Sequence, residues 1–171
     1  METMIALLRA VNVGGTGKMP MSDLRALCAD AGLADVRTYI QSGNVVFRSA
    51  LAEADVQAAL EARLSEYAGG PMQVILRSAG AMAEILARNP FPEAAPNRVG
   101  VLFLDTDAPV DPAAGAKGRR DEEIVAGGRE IFVHFPSGMG RSRLRLPQMD
   151  SGTLRNLNTV RKLDALATAP L

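Results

Sequence analysis

Apolar positions recur along the chain with two different periods, and each change of period marks an element. Met4 to Val11 is a mainly apolar run bounded by Gly14 and Gly15, which suits a buried strand. After Pro20, the residues Met21, Leu24, Leu27, Cys28 and Ala31 recur at helical spacing, and the pattern stops at Gly32. Val36 to Ile40 and Val45 to Phe47 flank Ser42-Gly43-Asn44, a hairpin signal. A second helical pattern over Ala52 to Tyr67 runs through Val56, Leu60 and Leu64 and ends at Gly69-Gly70-Pro71, and Met72 to Leu76 reads as a fourth strand. Strand, helix, hairpin, helix, strand is the order of the ferredoxin-like split unit.

A weaker echo follows. Ala81 to Arg88 reads as a short helix, the Pro-rich stretch Asn89 to Asn97 as a linker, and Val99 to Leu104 as a strand as apolar as the first. Ile40 to Phe47 lines up with Val125 to Phe132: an apolar residue, a glycine turn, then a β-branched residue closed by Phe. The second copy leads to a helix over about Thr153 to Thr168, while Ala113 to Arg120 is rich in Gly and Ala and reads as a poor helix or an exposed loop. The pattern predicts an α+β fold of two tandem ferredoxin-like halves, residues 1–78 and 79–171, forming one compact unit. A single irregular α+β domain is the alternative.

Composition narrows the classes of function. At 171 residues the chain is long enough to bury a real core, and no run of about 18 apolar residues marks a membrane span. The 19 basic and 19 acidic residues cancel, so no overall positive field draws nucleic acid. The distribution is uneven: Ser137 to Leu171 holds six basic residues against Asp150 and Asp164, net +4, and the first 136 residues hold 13 basic against 17 acidic, net −4. Cys28 is the only cysteine, which rules out an intramolecular disulfide, and the chain opens without a basic n-region and signal-peptide core. A cytoplasmic location is expected.

Familiar catalytic constellations fail in turn. His134, the lone histidine, lies in an alternating strand pattern with Ile131, Val133 and Phe135, and without a second histidine it anchors no metal cluster. Cys28 falls on the apolar stripe of its helix, where a thiol behaves as a small hydrophobe. No Ser sits in a Gly-x-Ser-x-Gly elbow. Val13-Gly-Gly-Thr-Gly-Lys18 invites a phosphate-loop reading, but Asn12 stands where the first glycine belongs and Met19 where a Ser or Thr should reach Mg²⁺. What remains is a Gly-rich connection with Arg9, Asn12 and Lys18 nearby, able to hold an anion or serving only backbone shape. The catalytic residues stay unknown, and neither a metal nor a cofactor is expected.

The basic tail adds a second glycine-rich turn, Gly138 to Arg143, with two guanidiniums suited to bidentate phosphate or carboxylate contact. Read as the opening of the last helix, Leu154 to Lys162 puts Arg155, Asn158 and Lys162 on one polar face opposite Val160, Leu163 and Ala167. The bland alternative makes Asn156 or Asn158 an N-cap and the charges solvated surface.

Ile5 to Gly15, Pro20-Met21, Val36 to Phe47, Gly140-Arg-Ser-Arg-Leu144 and Arg155-Asn-Leu-Asn-Thr-Val160 together resemble the bacterial domain-of-unknown-function family 1697, over nearly the whole chain. The resemblance implies a cytoplasmic α+β protein of tandem ferredoxin-like halves with no established activity or cofactor. Against the family pattern, Ala10 replaces Gly, Leu157 replaces Trp, Arg143 replaces Lys, and Leu144 to Gly152 differs from the usual connecting helix. If that Trp stacks on a ligand in relatives, this chain lacks the contact.

The matched segments are polar for packing motifs and sit where turns and element ends are expected. The expected ligand-binding set is Arg9, Asn12, Lys18, Gln41, Ser42, Asn44, Arg141, Ser142, Arg143, Arg155, Asn156, Asn158 and Lys162. The leading expectation is that both halves contribute these residues to one cleft for an anionic or phosphorylated small molecule. One rival is a scaffold or oligomerisation module in which the same groups only hold the fold together. The other is an RNA-binding sheet using Tyr39, Phe47, Phe132 and Phe135, which zero net charge disfavours.

Overall fold

The computed structural model describes residues 1–9, 19–39 and 43–169. The chain divides into two compact units: Met1–Ala81 with Leu163–Leu171, and Met82–Lys162.

In the first unit, β1 (Glu2–Leu8), α1 (Met21–Asp30), β2 (Ala34–Tyr39), β3 (Asn44–Ser49), α2 (Glu53–Ala68) and β4 (Val74–Ser78) follow in sequence. The strands form an antiparallel sheet in the order β2-β3-β1-β4. Strand alternation sends Met4, Ala6 and Leu8 to one face with Val45, Phe47, Val74 and Leu76, and these pack on Leu24 and Cys28 of α1 and Val56, Leu60 and Leu64 of α2. Each of the Met, Val, Leu and Phe side chains among them, withdrawn from water, contributes about 1.5–3 kcal/mol. The helical stripes read from the sequence are therefore the ones that build this core.

α3 (Ala79–Ala87) leads into the second sheet, formed by β5 (Val99–Phe103), β6 (Glu123–Gly127), β7 (Glu130–His134) and β8 (Thr153–Asn156), and α4 (Leu157–Thr168) follows. The order β6-β7-β5-β8 repeats that of the first sheet, strand for strand, so the two tandem ferredoxin-like halves are present. Their connections differ. Where the first half crosses over through α1 and α2, the second uses residues 104–122 and 135–152, which contain only the short 3-10 turns Met139–Arg141 and Pro147–Asp150. These connections supply Ala108, Ala116, Met139, Leu144, Leu146 and Met149 to a core with Leu102, Ile131 and Val133.

Two expectations need correction. Thr153–Asn156 is a strand, not the start of the last helix, because it pairs with β5 from Gly100↔Asn156 to Phe103↔Thr153. Leu154, Leu157 and Val160 do recur at a spacing of three, but pairing to a sheet edge overrides that local signal. The hairpin match is out by one residue. Ile5 pairs with Val46 and Arg77, and Val101 pairs with Phe132 and Arg155, so Phe132 corresponds to Val46 rather than Phe47. In a strand, one residue changes the face. Phe47 lies on the helix-covered face, whereas the core on the matching face of the second sheet takes Ile131 and Val133.

Candidate functional site

The second half lacks crossover helices, so its two connections must satisfy their own backbone groups. They do this by joining each other. Lys117 N–H donates to Arg145 O at 2.9 Å and Arg145 N–H to Lys117 O at 2.8 Å, closing an isolated antiparallel bridge. Gly118 makes the close pass possible: its φ is +67°, and a Cβ there would lie 2.2 Å from Arg143 O.

Beyond this bridge two carboxylates are clamped by serines. Ser142 Oγ–H donates to Glu122 Oε2 at 2.5 Å, and Ser137 Oγ–H donates to Asp121 Oδ2 at 2.6 Å. Glu122 is buried, and its Oε1 also accepts from Arg120 N–H at 2.6 Å. Ser142 Oγ in turn accepts from Leu144 N–H at 3.1 Å. Burial pushes the Glu122 carboxyl up, but the bonds from Ser142, Arg120 and its own N–H, with the Arg119 charge, outweigh it and leave the group below its usual range.

A cleft of 460 Å³ opens between these segments, with Phe135 and Gly138 at its wall beside Ser137, Ser142, Arg120 and Arg141. Arg120 and Arg141 are exposed, and neither guanidinium has a hydrogen bond or ion pair among the described residues. The two carboxylates keep their charge and hold the serine protons, so what the cleft offers an anion is the pair of guanidinium forks of Arg120 and Arg141. Such a set can hold an oxyanion through charge-assisted hydrogen bonds.

Of the residues expected from sequence, Arg141 and Ser142 meet in this cleft. Arg143 is an exposed neighbour in the chain, and its carbonyl is the one passed by Gly118. Arg155 is buried on β8, where Nη1 donates to Thr153 Oγ1 at 2.5 Å and Leu154 O at 3.1 Å, and burial pulls its guanidinium down to about 10. It therefore shares no helical face with Asn158 and Lys162, which are exposed on α4. Asn156 is the N-cap of α4, its Oδ1 accepting from Thr159 N–H at 2.9 Å.

In the first unit, Asn44 is fully buried and donates from Nδ2 to Tyr39 O at 3.0 Å, and Arg9 is half-buried after β1, its N–H bonded to Gln73 O at 3.0 Å. Asn12, Lys18, Gln41 and Ser42 lie outside the described residues. The sequence reading missed Arg119, Arg120, Asp121 and Glu122. The only signal was a charged run, Arg-Arg-Asp-Glu-Glu, before a strand, which ordinarily marks solvated surface.

The discarded chemistries find structural reasons. Cys28 is fully buried and its thiol is pushed up to about 12 by burial, which leaves almost no thiolate at neutral pH. His134 pairs with Glu123, Nδ1 to Oε1 at 2.9 Å, and its ring lies 5.4 Å from that of Phe91. Phe47, Phe132 and Phe135 are buried and offer no stacking platform for bases. No helix among the described residues is long and apolar enough to cross a membrane.

A family model described as "Protein of unknown function (DUF1697)" matches residues 1–132. The solved structure of the conserved bacterial protein SP0830 from Streptococcus pneumoniae is similar to this chain, with a TM-score of 0.81 and 25% identity over 98% of this chain and 99% of that one. No curated protein matches.

Proposed function

The chain belongs to the DUF1697 family, and from that premise we propose that it binds a small phosphorylated or carboxylated molecule in the cleft of its second unit. The reading is narrower than a cleft shared by two halves, since it rests on residues of Met82–Lys162 alone. One observation carries it: Arg120 and Arg141 line one concave surface and neither guanidinium has a partner among the described residues, while the carboxylates beside them are each bonded to a serine hydroxyl. Arg88, by contrast, is held against Glu130 at 2.7 Å. The location in the cytoplasm expected from sequence suits phosphorylated metabolites as ligands.

The test is a thermal-shift series with inorganic phosphate, nucleotides, sugar phosphates and dicarboxylates. A ligand present at 100 times its dissociation constant adds about 2.7 kcal/mol, or roughly 5–10 °C for a chain of this size. Arg120→Ala and Arg141→Ala should each reduce the ligand-induced shift while leaving the melting temperature of the unliganded protein unchanged. A flat series across all four anion classes overturns the proposal and leaves the scaffold reading in its place.

A further inference from the structure

We propose that the protein self-associates through the open edge of β6, two copies pairing antiparallel about a two-fold axis at Val125. Among the described residues β6 pairs only with β7 and forms the edge of its sheet. Gly127 and Glu130 close a two-residue turn, so they are a hydrogen-bonded pair, and alternation makes Val125↔Phe132 and Glu123↔His134 hydrogen-bonded pairs as well. Ile124 and Ala126 therefore direct their N–H and C=O groups away from β7. Neither residue has a backbone or side-chain hydrogen bond outside the sheet among the described residues.

Edge strands are usually blunted by charge, proline or a bulge. The counterpart edge, β2, has these defences: its register shifts between Ala34 and Arg37, Asp35 sits at φ +51°, and Asp35 and Arg37 are charged. On β4, Val74 has its N–H and C=O taken by the side chains of Glu61 and Gln57. β6, Glu-Ile-Val-Ala-Gly, is regular, free of proline and lysine, and leaves Val125 40% exposed.

The strand is also complementary to itself. With the axis at Val125, Ile124 of each copy faces Ala126 of the other and the outward groups form four hydrogen bonds, while the two Val125 side chains meet at the axis. Glu123 faces Gly127, so no like charges oppose each other within the strand. Moving the axis to Ile124 sets Val125 against the charged Glu123, and moving it to Ala126 sets Val125 against a glycine. The Val125 register alone joins the exposed apolar side chains. The partner is thus a second copy of this chain in an isologous interface. Self-association and the anion reading stand independently, since no residue of β6 lines the cleft.

Disulfide trapping tests this register in the full chain. Cα atoms facing each other in a non-hydrogen-bonded antiparallel pair lie ~4.5 Å apart, within disulfide range, and the only native cysteine, Cys28, is buried. Val125→Cys should form a covalent dimer under mild oxidation. Glu123→Cys, equally solvent-facing but displaced by two residues on each strand, should not, because its sulfurs would be roughly 13 Å apart. Sedimentation of the unmodified protein should show a concentration-dependent dimer, and Val125→Lys should raise its dissociation constant at least about tenfold. A monomer at all concentrations, equal trapping of the two cysteine variants, or a dimer indifferent to Val125→Lys each overturns the proposal.

Discussion

Removing a single hydroxyl tests whether the helix-less connections of the second half are held by their polar clamps. In Ser142→Ala the 2.5 Å bond to the buried Glu122 carboxylate disappears and Leu144 N–H loses its acceptor. A hydrogen bond to a charged group is worth about 1.5–3 kcal/mol and a neutral one about 0.5–1.5 kcal/mol. Solvent reaches part of this region, so the expected loss is roughly 2–4 kcal/mol, or about 4–16 °C in melting temperature for a chain of this length. The comparison is Ser137→Ala, whose partner Asp121 is exposed and whose loss should cost under about 1 kcal/mol. The effect also has a pH signature. The folded chain lowers the Glu122 pKa below its ordinary 4.5, so its carboxylate stabilises the fold fully above that value and the contribution drains away as pH falls through the lower folded pKa. Urea titrations at pH 7 and below pH 4 should therefore show the Ser142→Ala deficit shrinking in acid. A Ser142→Ala protein as stable as Ser137→Ala, or a deficit that grows as pH drops, would refute the reasoning.

Further outcomes follow from particular contacts. Gly118→Ala combines a left-handed backbone with a Cβ placed 2.2 Å from a carbonyl oxygen, and chemical denaturation should register a loss above about 2 kcal/mol. Arg155→Ala should destabilise by about 2–4 kcal/mol, because it empties a buried site and strips Thr153 of its donor, and calorimetry with and without phosphate should show the ligand-induced shift intact. Cys28, buried and pushed up to about 12, should resist thiol reagents in the folded protein and react at once in denaturant; rapid labelling under native conditions contradicts its placement.

The first half was readable because local and tertiary signals coincide there. Val56, Leu60 and Leu64 repeat at helical spacing and all three reach the core, and Gly69 stops α2 one residue beyond the predicted end. In the second half the same sheet is built without local help. Nothing in Leu144 or Leu146 announces that they cover a sheet from an irregular connection, and Thr153–Asn156 becomes a strand only because β5 has an edge to offer. The cleft was legible in part for the same reason. Gly138 to Arg143 stood out as a turn rich in glycine and arginine, whereas Arg120 and Glu122 acquire meaning only once residues 104–122 and 135–152 are brought side by side. Arg155, which read as surface charge on a helix, is a buried strand residue at the register of Arg77 in the first sheet.

The division of the chain into units bears on how it is made. Leu163–Leu171 belongs with Met1–Ala81, so the unit begun first is completed last, after every residue of the other has been synthesised. The contacts that complete the first unit therefore span nearly the whole chain, whereas those of Met82–Lys162 close within one continuous stretch. Neither a fragment ending near Ala81 nor one ending at Lys162 is an intact first unit, and dissection of this protein requires circular permutation rather than truncation.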